Sequence, residues 1–143
     1  MLEIPLIDGI HTVLHTLKSK GYRLGIVSSN GEENIRRFLK HHDVDVFEVI
    51  HTGSSLFGKH RIIDRFLSKF DLNQREVVFI GDEVRDVEAA QKSGIHVIAV
   101  TWGFNSHEAL LTLKPDKIVT HPTELLPALS DLNQHRTNAT DTP

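Results

Sequence analysis

Two apolar runs, Val77-Val78-Phe79-Ile80 and Val97-Ile98-Ala99-Val100, limit what this chain can fold into. Both are rich in β-branched residues, and neither alternates with polar ones. Such strands are buried on both faces, the pattern of a parallel sheet covered by helices. A parallel pair needs a crossover, usually a helix, and Asp86-Val87-Glu88-Ala89-Ala90-Gln91-Lys92-Ser93-Gly94 supplies one that ends at the glycine. Helical and strand patterns alternate along the rest of the chain, which predicts an α/β fold with a mainly parallel sheet. At 143 residues this is one domain, long enough to bury roughly two-thirds of its unfolded surface.

Ile10, Val13, Leu14 and Leu17 share one helical face, with Gly21 as the stop. Leu24 to Ser28 is the first strand, and Asn30 caps the next helix with Glu33 as its capping-box partner. Val46 to Ile50 is the second strand, and Ile62, Ile63, Phe66, Leu67 and Phe70 form the core stripe of the following helix. Ser106 opens a short helix through Leu113, Pro115 breaks it, and Ile118-Val119 suits an edge strand. Past Leu129 the residues are too polar to offset their ordering entropy. The expected division is therefore a core over 1–129 and a disordered tail over 130–143.

The chemistry concentrates at strand ends. Val77 to Ile80 runs into Gly81-Asp82-Glu83-Val84-Arg85-Asp86, which sets two carboxylates four residues apart at a strand's C-terminal end. Ligands of open α/β sheets bind along that edge. Two carboxylates there suit Mg²⁺, a hard cation that prefers oxygen and keeps several waters. Asp86 has a second reading as the cap of the next helix. Leu24 to Val27 likewise runs into Ser28-Ser29-Asn30, whose hydroxyl and amides can meet a phosphate at a helix N-terminus or simply cap the helix. Leu56-Phe57-Gly58-Lys59 lies between, just ahead of an amphipathic helix.

That order, an apolar strand to Ser28, then Gly58-Lys59, then an apolar strand to Gly81-Asp82 with Asp86, resembles the haloacid dehalogenase-like hydrolases. The likeness runs from Pro5 to about Pro127. Leu6-Ile7-Asp8-Gly9-Ile10 looks like the segment by which these proteins re-enter the core after a helical cap. Thr52 to Lys59 and Val100-Thr101-Trp102-Gly103-Phe104-Asn105 look like the phosphoglycolate-phosphatase-type branch. The resemblance implies a three-layer Rossmann-like core and Mg²⁺-dependent hydrolysis of a small phosphorylated metabolite, phosphoglycolate being the suggested one. It implies Ser28 and Lys59 as catalytic groups, and Ser28, Ser29, Asn30 and Lys59 as phosphate-binding groups. Asp82 becomes a metal ligand, and Asp86 supports the metal through water or by holding Lys59.

The family's reaction also uses an Asp-x-Asp after a first, central strand, and these residues hold no such motif. Asp43-Val44-Asp45 has the letters but follows His41-His42 instead of an apolar strand, and Asp8 lacks a second Asp at the right spacing. Three explanations fit: truncation, an enzyme split over two chains, or a non-catalytic phosphate- or metal-binding descendant. The resemblance places the absent strand between the strands ending at Ser28 and Asp82. Those two should then close up, recruit a strand from a missing N-terminal segment or second chain, or self-associate through open edges.

Other classes are disfavoured. A net charge of −3 offers no basic footprint for nucleic acid, and no apolar run approaches the ~18 residues of a membrane span. Without cysteine there is no disulfide or thiolate chemistry, which suits a cytoplasmic protein. A receiver-type signalling domain would need its acidic cluster early and its lysine late, whereas Lys59 precedes Asp82. His11 and His15 stand one helical turn apart, without a third ligand at a matching spacing. Trp102 and Phe104 either line a substrate mouth or pack at a strand end.

Overall fold

The structure is a computed structural model that describes the backbone of residues 9–28, 31–52, 59–102 and 107–141, with side chains for these except at 28, 52 and 134–141. Among the described residues, six helices and five strands alternate. They are α1 (Ile10–Ser19), β1 (Gly25–Ser28), α2 (Glu32–His41), β2 (Val49–Thr52), α3 (Lys59–Lys69) and β3 (Val78–Gly81). The remainder are α4 (Val84–Ser93), β4 (His96–Val100), α5 (His107–Leu111), β5 (Lys117–Val119) and α6 (Leu125–Asp141). The fold is α/β, and every strand pairing among the described residues is parallel.

The pairings fall into two sheets, β1-β2 and β3-β4-β5. β1 meets β2 in the register Gly25 to Val49 and Ser28 to Thr52. β4 is central in the larger sheet, and its pleat sends alternate residues to opposite layers. Ile98 and Val100 join Val13 and Leu17 of α1 and Leu125, Leu129 and Leu132 of α6. Val97 and Ala99 join Ile63 and Leu67 of α3, Val87 and Ala90 of α4, and Leu110 of α5. The result is three layers, with helices on both faces of β4. That double cover explains the unbroken apolar run read from the sequence.

Local details depart from the sequence reading in four places. The second strand is Val49–Thr52, displaced from Val46–Ile50, because Val44 and Val46 are buried by packing while the ladder begins beyond them. α2 starts after Gly31 with no side-chain cap. Glu33 accepts a hydrogen bond from Arg37 at 3.3 Å, a helix-face pair, and its expected capping-box partner Asn30 lies outside the described residues. Pro122–Glu124 forms a 3₁₀ turn that leads straight into α6. α6 then continues to Asp141, where a disordered tail was expected from residue 130. Leu132 is buried and Asp131 pairs with Lys117 of β5, so the start of the polar stretch is anchored to the core.

Gly21 and Gly94 both follow helices with positive φ, 93° and 75°, the left-handed conformation in which glycine ends helices cheaply. The expected stops therefore stand where the sequence put them.

Candidate active site

The turn after β3 is built around one side chain. Asp86, in the first turn of α4, is 3% exposed and points back over the strand end. Its Oδ2 accepts hydrogen bonds from the backbone amides of Asp82 and Glu83, both at 3.1 Å. Its Oδ1 accepts a bond from the Lys59 ammonium at 2.5 Å. Asp86 thus holds Lys59 through one oxygen and, through the other, accepts from the backbone of Glu83, the N-cap of α4; it lies inside the first turn and is not itself the N-cap that its sequence position suggested. Gly81 makes room for this: a Cβ there would lie 2.4 Å from the Asp86 Cβ, closer than atoms can approach. The glycine before the aspartate is a steric requirement of the carboxylate that follows.

Lys59 is the first residue of α3, 27 positions before its partner. Its side chain is 17% exposed and that of Asp86 4%. Water screens such a pair weakly, so its loss would leave a charge stranded in a poorly solvated place. The ion pair also ties the segment following β2 to the segment following β3. It therefore fixes the N-terminal end of α3 against the turn at the C-terminal end of β3.

Asp82 is 7% exposed and follows β3 directly. Glu83 and Arg85, given no role from sequence, form an ion pair of 3.0 Å on the rim of this turn. Ser28 ends β1 opposite Thr52, which puts its backbone at the C-terminal end of the smaller sheet. Ser29, Asn30, Asp8, the Gly53–Gly58 stretch and Gly103–Asn105 lie outside the described residues. Of the sequence-derived site, the structure brings Lys59, Asp82 and Asp86 together.

The decoys separate from it. Asp43 occupies a left-handed turn (φ 54°) after α2, and both it and Asp45 are exposed around the buried Val44. His11 and His15 stack with ring centroids 4.3 Å apart, and His11 meets the Asp43 carbonyl through Nε2 at 3.1 Å. Among the described residues no three His, Cys, Asp or Glu side chains form a metal cluster. Mg²⁺ does not need one, since it is commonly held by one or two carboxylates plus waters. The donors here fit that pattern: Asp82 contributes a buried oxygen pair at a strand end, and no soft ligand stands nearby. Trp102 packs against the α1–α6 core, the packing role of the two proposed.

His51 went unnoticed in the sequence. It lies in β2 with its Nε2 shut from solvent and unbonded, beside the Phe66 ring. Burial, then the charges of Lys69 and Arg65, hold its pKa below the ordinary histidine value. No spacing signal marks it, because its environment is created by α3 packing across β2.

A family model described as haloacid dehalogenase-like hydrolase matches residues 2–100. The chain belongs to this family. A phosphoglycolate phosphatase of Synechococcus elongatus is 35% identical over 130 residues, covering 90% of this chain and 61% of that protein. The pyrophosphatase PpaX of Bacillus anthracis is 30% identical over 136 residues, covering 90% and 63%. Among solved structures, a predicted phosphatase from Clostridium acetobutylicum superposes with a TM-score of 0.80 at 28% identity, covering 87% of this chain and 59% of the other. The haloacid dehalogenase-like chain thus spans about three-fifths of the length of these relatives. Among the described residues no helix is long and apolar enough to cross a membrane.

Proposed function

We propose that these residues form the lysine- and carboxylate-bearing part of a phosphatase site that works with Mg²⁺ on a small phosphorylated metabolite. The observation that carries this is the meeting of Lys59, Asp82 and Asp86 at the C-terminal strand ends, fixed by the Lys59–Asp86 bond. Phosphoryl transfer spreads negative charge over three peripheral oxygens, so a site for it needs positioned cations more than covalent help. Lys59 is a compact point charge on a held stem. Asp86 keeps it pointed at the strand ends and sets the turn that carries Asp82. Asp82 would hold the Mg²⁺, whose chemistry is to neutralise charge on the phosphate oxygens. Ser28, with the Ser29 and Asn30 amides, would receive a phosphate oxygen from the other sheet.

Phosphoglycolate is the first substrate to try, on the strength of the Synechococcus relative. Pyrophosphate is the second reading, on the strength of the Bacillus relative. A cytoplasmic location belongs to the same proposal. In the family that the chain belongs to, the covalent step uses an Asp-x-Asp carboxylate distinct from Asp82 and Asp86. These residues hold no such motif at a strand end, and Asp43 and Asp45 are exposed around the turn after α2. These 143 residues are therefore expected to bind phosphate ligands without turning them over.

Calorimetric titration of the chain with phosphoglycolate and with pyrophosphate, each with and without Mg²⁺, tests this. Binding should require Mg²⁺, fall about tenfold or more in Lys59→Met, and lose its Mg²⁺ dependence in Asp82→Asn. Affinity untouched by either substitution would overturn the assignment, and a preference for pyrophosphate would select the second reading.

A further inference from the structure

We propose that the outward face of α3 is a docking site for an acidic helical segment of another protein, held by Arg61, Arg65 and Lys69. The three stand four residues apart, so on a helix they form one ridge about 12 Å long. All three are exposed, whereas Ile62, Ile63 and Leu67 of the same helix are buried. α3 is thus fixed in the fold by its apolar side, and the ridge carries none of that packing.

The ridge differs from other exposed cations of this protein in being unneutralised. Arg23, Arg36, Arg37 and Arg85 are exposed too, and each is paired with a glutamate at 2.7–3.3 Å. Among the described residues Arg61, Arg65 and Lys69 form no ion pair, and Asp64, exposed between the two arginines, pairs with neither. Like charges one helical turn apart repel, and anions laid along the ridge would remove that repulsion. The field of these cations also reaches the sheet. Burial, then Lys69 and Arg65, lower the pKa of His51, so β2 under the ridge lies in positive potential.

The ridge also selects its occupant. A phosphodiester chain presents only negative charge, which Asp64 would repel, and nucleic-acid binding draws on more phosphate contacts than three cations supply. A polypeptide can match the mixed pattern. Glutamates one helical turn apart meet Arg61, Arg65 and Lys69, and one lysine among them meets Asp64. Phe70 is half-buried just beyond α3, with the Lys69 Nζ 5.6 Å from its ring centroid, and it offers the partner an apolar foothold beside the last cation. Exposed ion pairs are screened by salt and individually weak, so the association is transient. This inference does not rest on the phosphatase reading, because it uses none of that site's groups.

The test titrates the 143-residue chain with a helix-stapled synthetic peptide of about 16 residues, which carries glutamate at every fourth position and one lysine between two of them. Nuclear magnetic resonance should show the amides of α3 shifting and the His51 pKa rising toward its ordinary value, because the glutamates counter Lys69 and Arg65. Changing Arg61, Arg65 and Lys69 together to glutamine should lower the affinity about tenfold or more. The melting temperature of that variant should stay within about 2 °C, since exposed unpaired side chains contribute little to stability. Arg36→Gln with Arg37→Gln should leave the affinity unchanged. Arg65→Glu should abolish binding, and a peptide with lysine in place of the facing glutamate should restore it, which a loss of folding would not allow. No binding of the peptide at about 1 mM, or an affinity indifferent to the triple substitution, would overturn the proposal. So would oligothymidylate or phosphatidylserine vesicles binding the ridge more tightly than the peptide, because the occupant would then not be an acidic helix.

Discussion

The two sheets of this protein are built from similar strands but reach different states. β4 has a strand on each side and helices on both faces, and its apolar residues are buried. Among the described residues β1 has one strand neighbour, Gly25 is exposed, and Ile26 and Val27 are half-buried. The difference is one of neighbours, not of composition, since Gly-Ile-Val-Ser and Val-Ile-Ala-Val differ little in strand preference beyond the glycine. A strand's burial belongs to the sheet around it. The candidate site sits where the two sheets come closest to sharing an element, at the Lys59–Asp86 bond.

Breaking that bond should have the largest effect. Asp86→Ala strands the Lys59 charge and leaves the Asp82 and Glu83 amides without their acceptor, so a loss of about 3–5 kcal/mol is expected in urea unfolding. Asp86→Asn should recover part of it by restoring an acceptor for the amides. A loss under about 1 kcal/mol in the alanine variant would mean the sheets are not coupled through this contact.

Next comes the contrast between strands. Ile98→Ala in β4 empties a fully buried site and should cost about 2–5 kcal/mol. Ile26→Ala in the half-buried β1 should cost clearly less, about 1 kcal/mol. Equal losses would show that β1 is as well covered as β4 and would erase the comparison.

Gly81→Ala sharpens it from the site side. The added methyl collides with the Asp86 Cβ, and the turn must shift at a cost of about 1–3 kcal/mol. The same substitution should raise the reactivity of Lys59 toward an amine-modifying reagent, because the carboxylate that holds it is displaced. Unchanged lysine reactivity would separate the glycine from the lysine.

The smallest effect concerns His51 in the smaller sheet. Its folded pKa lies below the ordinary 6.5, chiefly through burial. The folded state therefore holds fewer protons on it than the unfolded chain does. Stability tied to His51 is intact above pH 6.5 and is lost as the pH falls through the lowered folded value. His51→Gln should flatten the fall in melting temperature between neutral and mildly acidic pH. An unaltered slope would assign the acid sensitivity to other groups.

Much of this was legible in the chain. The unbroken apolar runs stated that β3 and β4 lie in a covered parallel sheet. Gly21 and Gly94 marked helix ends, and the order of Ser28, Lys59, Asp82 and Asp86 indicated a site along one sheet edge. Periodicity and turn chemistry act over a few residues, so a sequence displays them directly.

What the sequence did not display depended on distant neighbours. The start of β2 was set by its register against β1, which no local pattern around Val46 encodes. The start of the polar 130–143 segment was ordered by Leu132 and by the Lys117–Asp131 pair, contacts made across the fold. Asp86 could be an N-cap or a charge partner by its letters; the structure puts it in the first turn of α4, bonded back to the Glu83 amide, and makes it a charge partner by bringing α3 beside α4. The sequence by itself determined the alternating order of strands and helices up to about residue 129 and which segments carry the polar groups. Only the tertiary structure decided which strand edges are paired and which carboxylate oxygen faces which donor. The physical reason is that burial and hydrogen-bond partners are properties of the assembled layers, and residues far apart in the chain supply them.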